Sequence, residues 1–203
     1  MTNRAKGVAG LALAVAGLVA LTSEARAETS PIEAAECVVD NDAHHVVALL
    51  RTVPGSPVEA KAAARLVQLY GACMDNRTVK GSFSWLERAE LATAALNKRL
   101  TKDVTLPAAS PAVWEADVKP TMLPGRDFSG HSLGLAMFGA CVVRAAPDAS
   151  LQYFRAEPTD AAAALATLRP TLASCMQPSH SLRLTPAQLR LIVAEPLYHA
   201  LVR

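Results

Sequence analysis

CVVDNDAHHVVALLRTVP at Cys37–Pro54 is followed about a hundred residues later by CVVRAAPDASLQYFRAEP at Cys141–Pro158. Aligned from their first cysteines without a gap, Arg51 meets Arg155 and Pro54 meets Pro158. Each stretch runs on to Cys-Met, at Cys73-Met74 and Cys175-Met176, with cysteine spacings of 36 and 34. A repeat of this length carrying two cysteines per copy marks a duplicated supersecondary unit.

Within the first copy, Ala35, Val39, Ala43, Val46, Leu50 and Val53 recur at three- and four-residue steps. That spacing predicts one amphipathic helix over about 32–51. Val53-Pro54-Gly55 stops it, and Ser56-Pro57-Val58-Glu59 restarts a helix with a capping box and proline at the first helical position. This second helix runs to Cys73. Ser84-Trp85-Leu86-Glu87 then opens a third, with Leu86, Ala89, Thr93, Leu96 and Leu100 on one side.

The second copy follows the same plan. A helix from about Ser132 bends near Pro147 and reaches Arg155. Pro158-Thr159-Asp160 turns and caps, and an alanine-rich helix reaches Cys175 despite Pro170. Thr185-Pro186-Ala187-Gln188 is a third capping box, with Leu184 placed to staple onto Leu189. Leu189, Ile192, Val193, Leu197 and Ala200 form the last stripe, kinked at Pro196.

Four cysteines allow three pairings. In an antiparallel helix hairpin, Cys37 and Cys73 lie at similar distances from the turn and so reach similar heights. The expected bridges are Cys37–Cys73 and Cys141–Cys175. Each would stabilise the fold by roughly 3–4 kcal/mol in the chain-entropy estimate. The expected fold is all-α: two disulfide-clipped three-helix repeat units, residues 28–101 and 131–203, packed across an alanine-lined interface. Residues 102–130, rich in proline and turn formers, read as an extended connector pinned by Trp114, Met122 and Phe128. Few aromatics and much alanine point to close helix packing without a large ligand cavity.

Residues 1–27 have the layout of a secretory signal peptide. Arg4 and Lys6 precede an apolar run from Val8 to Leu21, and Ala25-Arg26-Ala27 ends it as a small-x-small cleavage site. Export to the periplasm or beyond suits four cysteines, because the compartment is oxidising. Cleavage after Ala27 leaves 17 basic and 17 acidic residues. With no basic stripe and no later long apolar segment, neither nucleic acid nor a membrane span is expected. An unidentified protein partner is compatible with this composition.

Several motifs invite chemistry. Gly130-His131-Ser132-Leu133-Gly134 matches the G-x-S-x-G nucleophile elbow, with Ser132 attacking and Asp148 or Asp160, then His180 or His199, completing a triad. An elbow needs a buried strand before it, and Leu123-Pro124-Gly125 is a poor one. The repeat places the segment at the start of a helix instead. His44-His45 beside Asp40 and Asp42 suggests a metal, yet adjacent helical residues point about 100° apart, so no metal or other cofactor is expected. Neither cysteine pair is a C-x-x-C, which favours structural bridges over redox work. Arg51 and Arg155, kept in both copies, are the candidate binding residues. Each is expected to face the second helix of its hairpin and to cap carbonyls or pair with a carboxylate.

Leu184-Thr185-Pro186-Ala187-Gln188 resembles the L-T-x-x-Q motif of the periplasmic Spy/CpxP-type helical chaperones, which implies a stress-response chaperone. Across residues 32–203, the duplicated Cys-Val-Val…Pro…Cys-Met pattern resembles small exported alphaproteobacterial proteins to which no activity is assigned. The expected role is therefore non-enzymatic, structural or protein-binding, with a periplasmic chaperone as the alternative and a Ser132 hydrolase as the second.

Overall fold

A computed structural model describes residues 30–73, 85–101, 104, 106, 112–118, 132–176 and 182–202. The signal-like segment, Met122, Phe128, His131 and His180 lie outside the described residues. Eight α-helices and no strand occur among those that are described: α1 (Pro31–Asn41), α2 (Ala43–Leu50), α3 (Pro57–Tyr70), α4 (Trp85–Asn97), α5 (Ser132–Ala145), α6 (Pro147–Arg155), α7 (Ala161–Cys175) and α8 (Pro186–Leu201).

Disulfides join Cys37 to Cys73 and Cys141 to Cys175, with Cα separations of 5.6 and 5.8 Å. They clip α1 to the turn after α3, and α5 to the end of α7, which suggests two similar units. No helix among the described residues is long and apolar enough to cross a membrane.

The helix expected over 32–51 is two helices. Asp42 leaves helical geometry (φ −155°, ψ 74°), and its carboxylate accepts a hydrogen bond from the backbone N–H of His45, so it caps α2. The matching residue Ala146 makes the same break (φ −145°, ψ 68°) with no side-chain cap, aided by Pro147 at the first position of α6. The break shifts the helical phase. Ala43, assigned to the buried stripe from its spacing, is exposed, whereas Val38, Val46, Leu49 and Leu50 are buried.

Turns follow their local chemistry. Gly55 takes a left-handed φ of 77°, a region open to glycine at no steric cost. Ser56 caps α3 by accepting from the N–H of Glu59. The reciprocal half of that box is altered: Glu59 Oε2 accepts from the N–H of Gly55, one residue beyond the cap. At α8 both halves of the box form between Thr185 and Gln188.

Helix α4 has no solvent-facing stripe along its middle. Residues 88–96 are all buried, including Arg88, Glu90 and Thr93. A helix covered on every side is a central helix, and α4 packs against α1, α2 and α8. Alanines 89, 92, 94 and 95 let the neighbours approach closely. Helix α8 is packed against α4, α5 and α6. At the α5–α8 crossing, a Cβ added to Gly139 would stand 2.9 Å from Ile192 Cγ2 and closer still to the Ile192 carbonyl oxygen.

The expected extended connector contains a 3-10 helix, Val113–Asp117. It carries Trp114, which is fully buried against Val53, Leu133 and Ala136, so the tryptophan does pin this segment.

Candidate functional site

Among the described residues, a buried polar constellation is centred on Arg88. Its Nε and Nη2 donate to Glu195 Oε2 and Oε1 at 2.9 and 2.7 Å, and Nη1 donates to Glu59 Oε1 at 2.7 Å. The same guanidinium donates to the carbonyls of Leu49, Leu50 and Thr52 at the end of α2. Trp114 Nε1 donates to Glu195 Oε1 at 3.0 Å. Burial opposes charge on Arg88, but Glu195 and Glu59 outweigh it and raise its pKa. Burial likewise pushes Glu195 up, and the Arg88 charge and its hydrogen bonds, with the His199 imidazole close by, overcome it, down to about 2. Every donor of the guanidinium is engaged. This is a locked ion cluster, without an open face for a substrate.

Arg190 does a related job in the other half. Its Nη2 donates to the Ala156 carbonyl at the end of α6, the repeat equivalent of Thr52. Carbonyl capping at the hairpin ends was the role expected of Arg51 and Arg155. The structure gives it to arginines of the last helix in each half, Arg88 and Arg190. Arg51 is the exposed C-cap residue of α2. Arg155 is exposed and donates to the Thr101 carbonyl at 2.6 Å, reaching toward the connector and not to α7. The two arginines kept by the repeat therefore have different surroundings.

Arg155 lies in a cleft of about 720 Å3 between α6 and α7. Asp148, Gln152, Glu157 and Asp160 share its walls, with Leu151 and Ala164 at the base. In the first half, Val53, Glu59 and Arg88 are buried near the corresponding hairpin end. A second cleft, of about 320 Å3, is formed by α5, α7 and the start of α8. Its lining is apolar, including Phe138, Leu165, Leu172, Met176 and Leu184, with Arg169 at its edge.

Ser132 is the first residue of α5, and a Cβ added to Gly55 would touch its Cβ at 3.9 Å. Asp148 and Asp160 belong to the polar cleft. His199 is almost fully buried, with Nε2 3.5 Å from Glu195 Oε1 and no closer hydrogen bond. Ser132 thus begins a helix where an elbow would end a strand, and His199 is directed at the ion cluster.

The histidine pair is arranged differently from the sequence expectation. Ligand-type atoms of Asp42, His44 and His45 all lie within 4.8 Å of one another. The two rings stand nearly perpendicular, at 88°, with centroids 5.5 Å apart. The sequence argument took all three residues as one helix, whereas Asp42 stands outside α2 and its carboxylate folds back over the first turn. His45 Nδ1 is 2.5 Å from Asp42 Oδ2, and the Tyr70 hydroxyl donates to the same oxygen at 2.8 Å. The backbone N–H of His45 is the main influence holding the Asp42 carboxyl down at about 2, against its burial, with help from Tyr70 and the His45 ring.

Comparisons of the chain with protein-family models, with curated proteins and with solved structures found no match.

Proposed function

We propose that this chain is an exported helical protein with a protein-binding role and no catalytic chemistry, built from two copies of one disulfide-clipped unit, α1–α4 and α5–α8. In this reading the first two helices of each copy are the halves of one broken helix, which reconciles eight helices with three per repeat. Export is supported by the signal-like residues 1–27 and by two disulfides that an oxidising compartment maintains.

The observation that carries the binding role is the difference between the copies. One hairpin end holds the buried Arg88–Glu59 pair, while the other has Arg155, Asp148, Glu157 and Asp160 around an open cleft. Three carboxylates around one guanidinium favour a partner segment with net positive charge. A photo-crosslinking residue at Gln152 tests this, with Ala48, its exposed repeat equivalent, as the control. A discrete protein adduct from position 152 alone is expected in the exporting cell. Equal adducts from both positions, or none from 152, would remove the assignment. The same reading expects ester hydrolysis no higher with the wild type than with Ser132→Ala.

The second cleft favours a chaperone of the Spy/CpxP kind as an alternative. Leu184 of the L-T-x-x-Q resemblance lines an apolar concavity with a cation at its edge. Suppression of a heat-aggregating client at near-stoichiometric ratio would support that alternative, and a client curve unchanged by the protein would eliminate it.

A further inference from the structure

We propose that Asp42, His44 and His45 form a site for a divalent transition-metal ion such as zinc. Two imidazoles and a carboxylate are a donor set that such ions select. Their candidate ligand atoms already lie within 4.8 Å of one another.

The repeat provides an internal control. Ala146, Asp148 and Ala149 stand at the matching positions, and the backbone there breaks in the same way. In the second copy Pro147 starts the new helix, so the break is made there without any histidine. The Tyr70 hydroxyl, donating to Asp42 Oδ2 from the end of α3, supplies the outer-shell support that commonly orients a ligating carboxylate. His44 is exposed and Asp42 and His45 are partly so, which leaves an ion access from solvent and room for water as a further ligand.

Binding takes the place of a proton. At 2.5 Å, His45 Nδ1 and Asp42 Oδ2 are in direct contact. Zinc bonds of about 2.0–2.1 Å in tetrahedral geometry require that separation to open to roughly 3.4 Å. The ion then occupies the gap, and any proton held on the imidazole is released to solvent. The positive end of α2 opposes a cation, and the Asp42 carboxylate at that end offsets it. Lys98, just after α4, is already engaged with Asp40 near the end of α1.

The test is calorimetric titration of zinc chloride into chelator-treated, tag-free mature protein with both disulfides intact. One ion per chain is expected. His44→Ala and His45→Gln should each weaken binding at least tenfold, while the metal-free melting temperature of His44→Ala stays at the wild-type value. Magnesium should give no comparable heat. With copper(II), the electron paramagnetic resonance spectrum of the wild type should show two coordinated nitrogens and that of His44→Ala one. No zinc binding by the wild type, or equal affinity in both variants, would overturn the proposal.

Discussion

Arg88 and Glu195, 107 residues apart in sequence, face each other through two hydrogen bonds of 2.9 and 2.7 Å in the interior of the protein. The pair joins α4 to α8, the central helix of one half to the last helix of the other. Glu59 and three carbonyls of the α2 terminus complete the guanidinium's surroundings. A buried charge with all donors engaged is a poor catalyst and a strong positional constraint. Whether it also adds net stability over an apolar replacement is a separate matter, since desolvation offsets much of the attraction.

Removal of one partner has a clear sign. Arg88→Met leaves Glu195 and Glu59 buried without their cation and takes a donor from the carbonyls of Leu50 and Thr52. The expected loss is about 3–5 kcal/mol in urea unfolding. Lys98→Ala, which breaks the exposed pair with Asp40, should cost no more than about 1 kcal/mol. Equal effects from the two substitutions would contradict the ranking.

Acid should act through Glu195. Its folded pKa of about 2 lies below the ordinary glutamate value of about 4.3. A depressed carboxylate stabilises the fold fully above its unfolded pKa and loses that contribution as pH falls toward the folded one. The window is therefore between about pH 4.5 and 2, and the contribution is about 3 kcal/mol. Unfolding titrations of Glu195→Gln across that window should show a shallower dependence than the wild type. Parallel curves would assign the acid sensitivity to other carboxylates.

Gly139→Ala tests the closeness of the α5–α8 crossing. Helix propensity alone predicts a gain of up to about 1 kcal/mol. The new methyl group would press on the Ile192 side chain and backbone carbonyl. Net destabilisation of about 1–3 kcal/mol is expected, read as a lowered urea midpoint. A raised midpoint would show that the helices can separate without cost.

The disulfides should act on the unfolded chain. Cys37→Ala/Cys73→Ala and Cys141→Ala/Cys175→Ala each open a loop of about 35 residues, for an expected loss of roughly 3–4 kcal/mol apiece. Oxidised wild type and each double variant can be compared by thermal unfolding. An unchanged melting temperature in either variant would show that its bridge contributes nothing to the fold.

Much of the helical plan was legible in the sequence because it rests on local chemistry. Val53-Pro54-Gly55 and Thr185-Pro186-Ala187-Gln188 act within a few residues, and the repeat made the cysteine pairing a matter of equal helix heights. The break at Asp42 escaped because Asn41-Asp42 carries neither proline nor glycine, and apolar residues continue on both sides at helical spacing. Helix α4 was assigned a stripe, since Arg88 and Glu90 look like solvent-facing residues until a partner from elsewhere is known. Glu195 lies 107 residues from Arg88, and no periodicity connects them. The same limit applied to Asp42, His44 and His45, whose grouping depends on that unforeseen break.

The central claim is an exported, disulfide-clipped binding protein, and a native mass spectrum of material from the compartment it reaches tests it most directly. The account predicts a chain beginning at Glu28, four hydrogens lighter than its reduced mass, carrying a protein partner through the Arg155 cleft that Asp160→Lys releases. A chain that retains residues 1–27 with four free thiols, or a complex indifferent to Asp160→Lys, would contradict it.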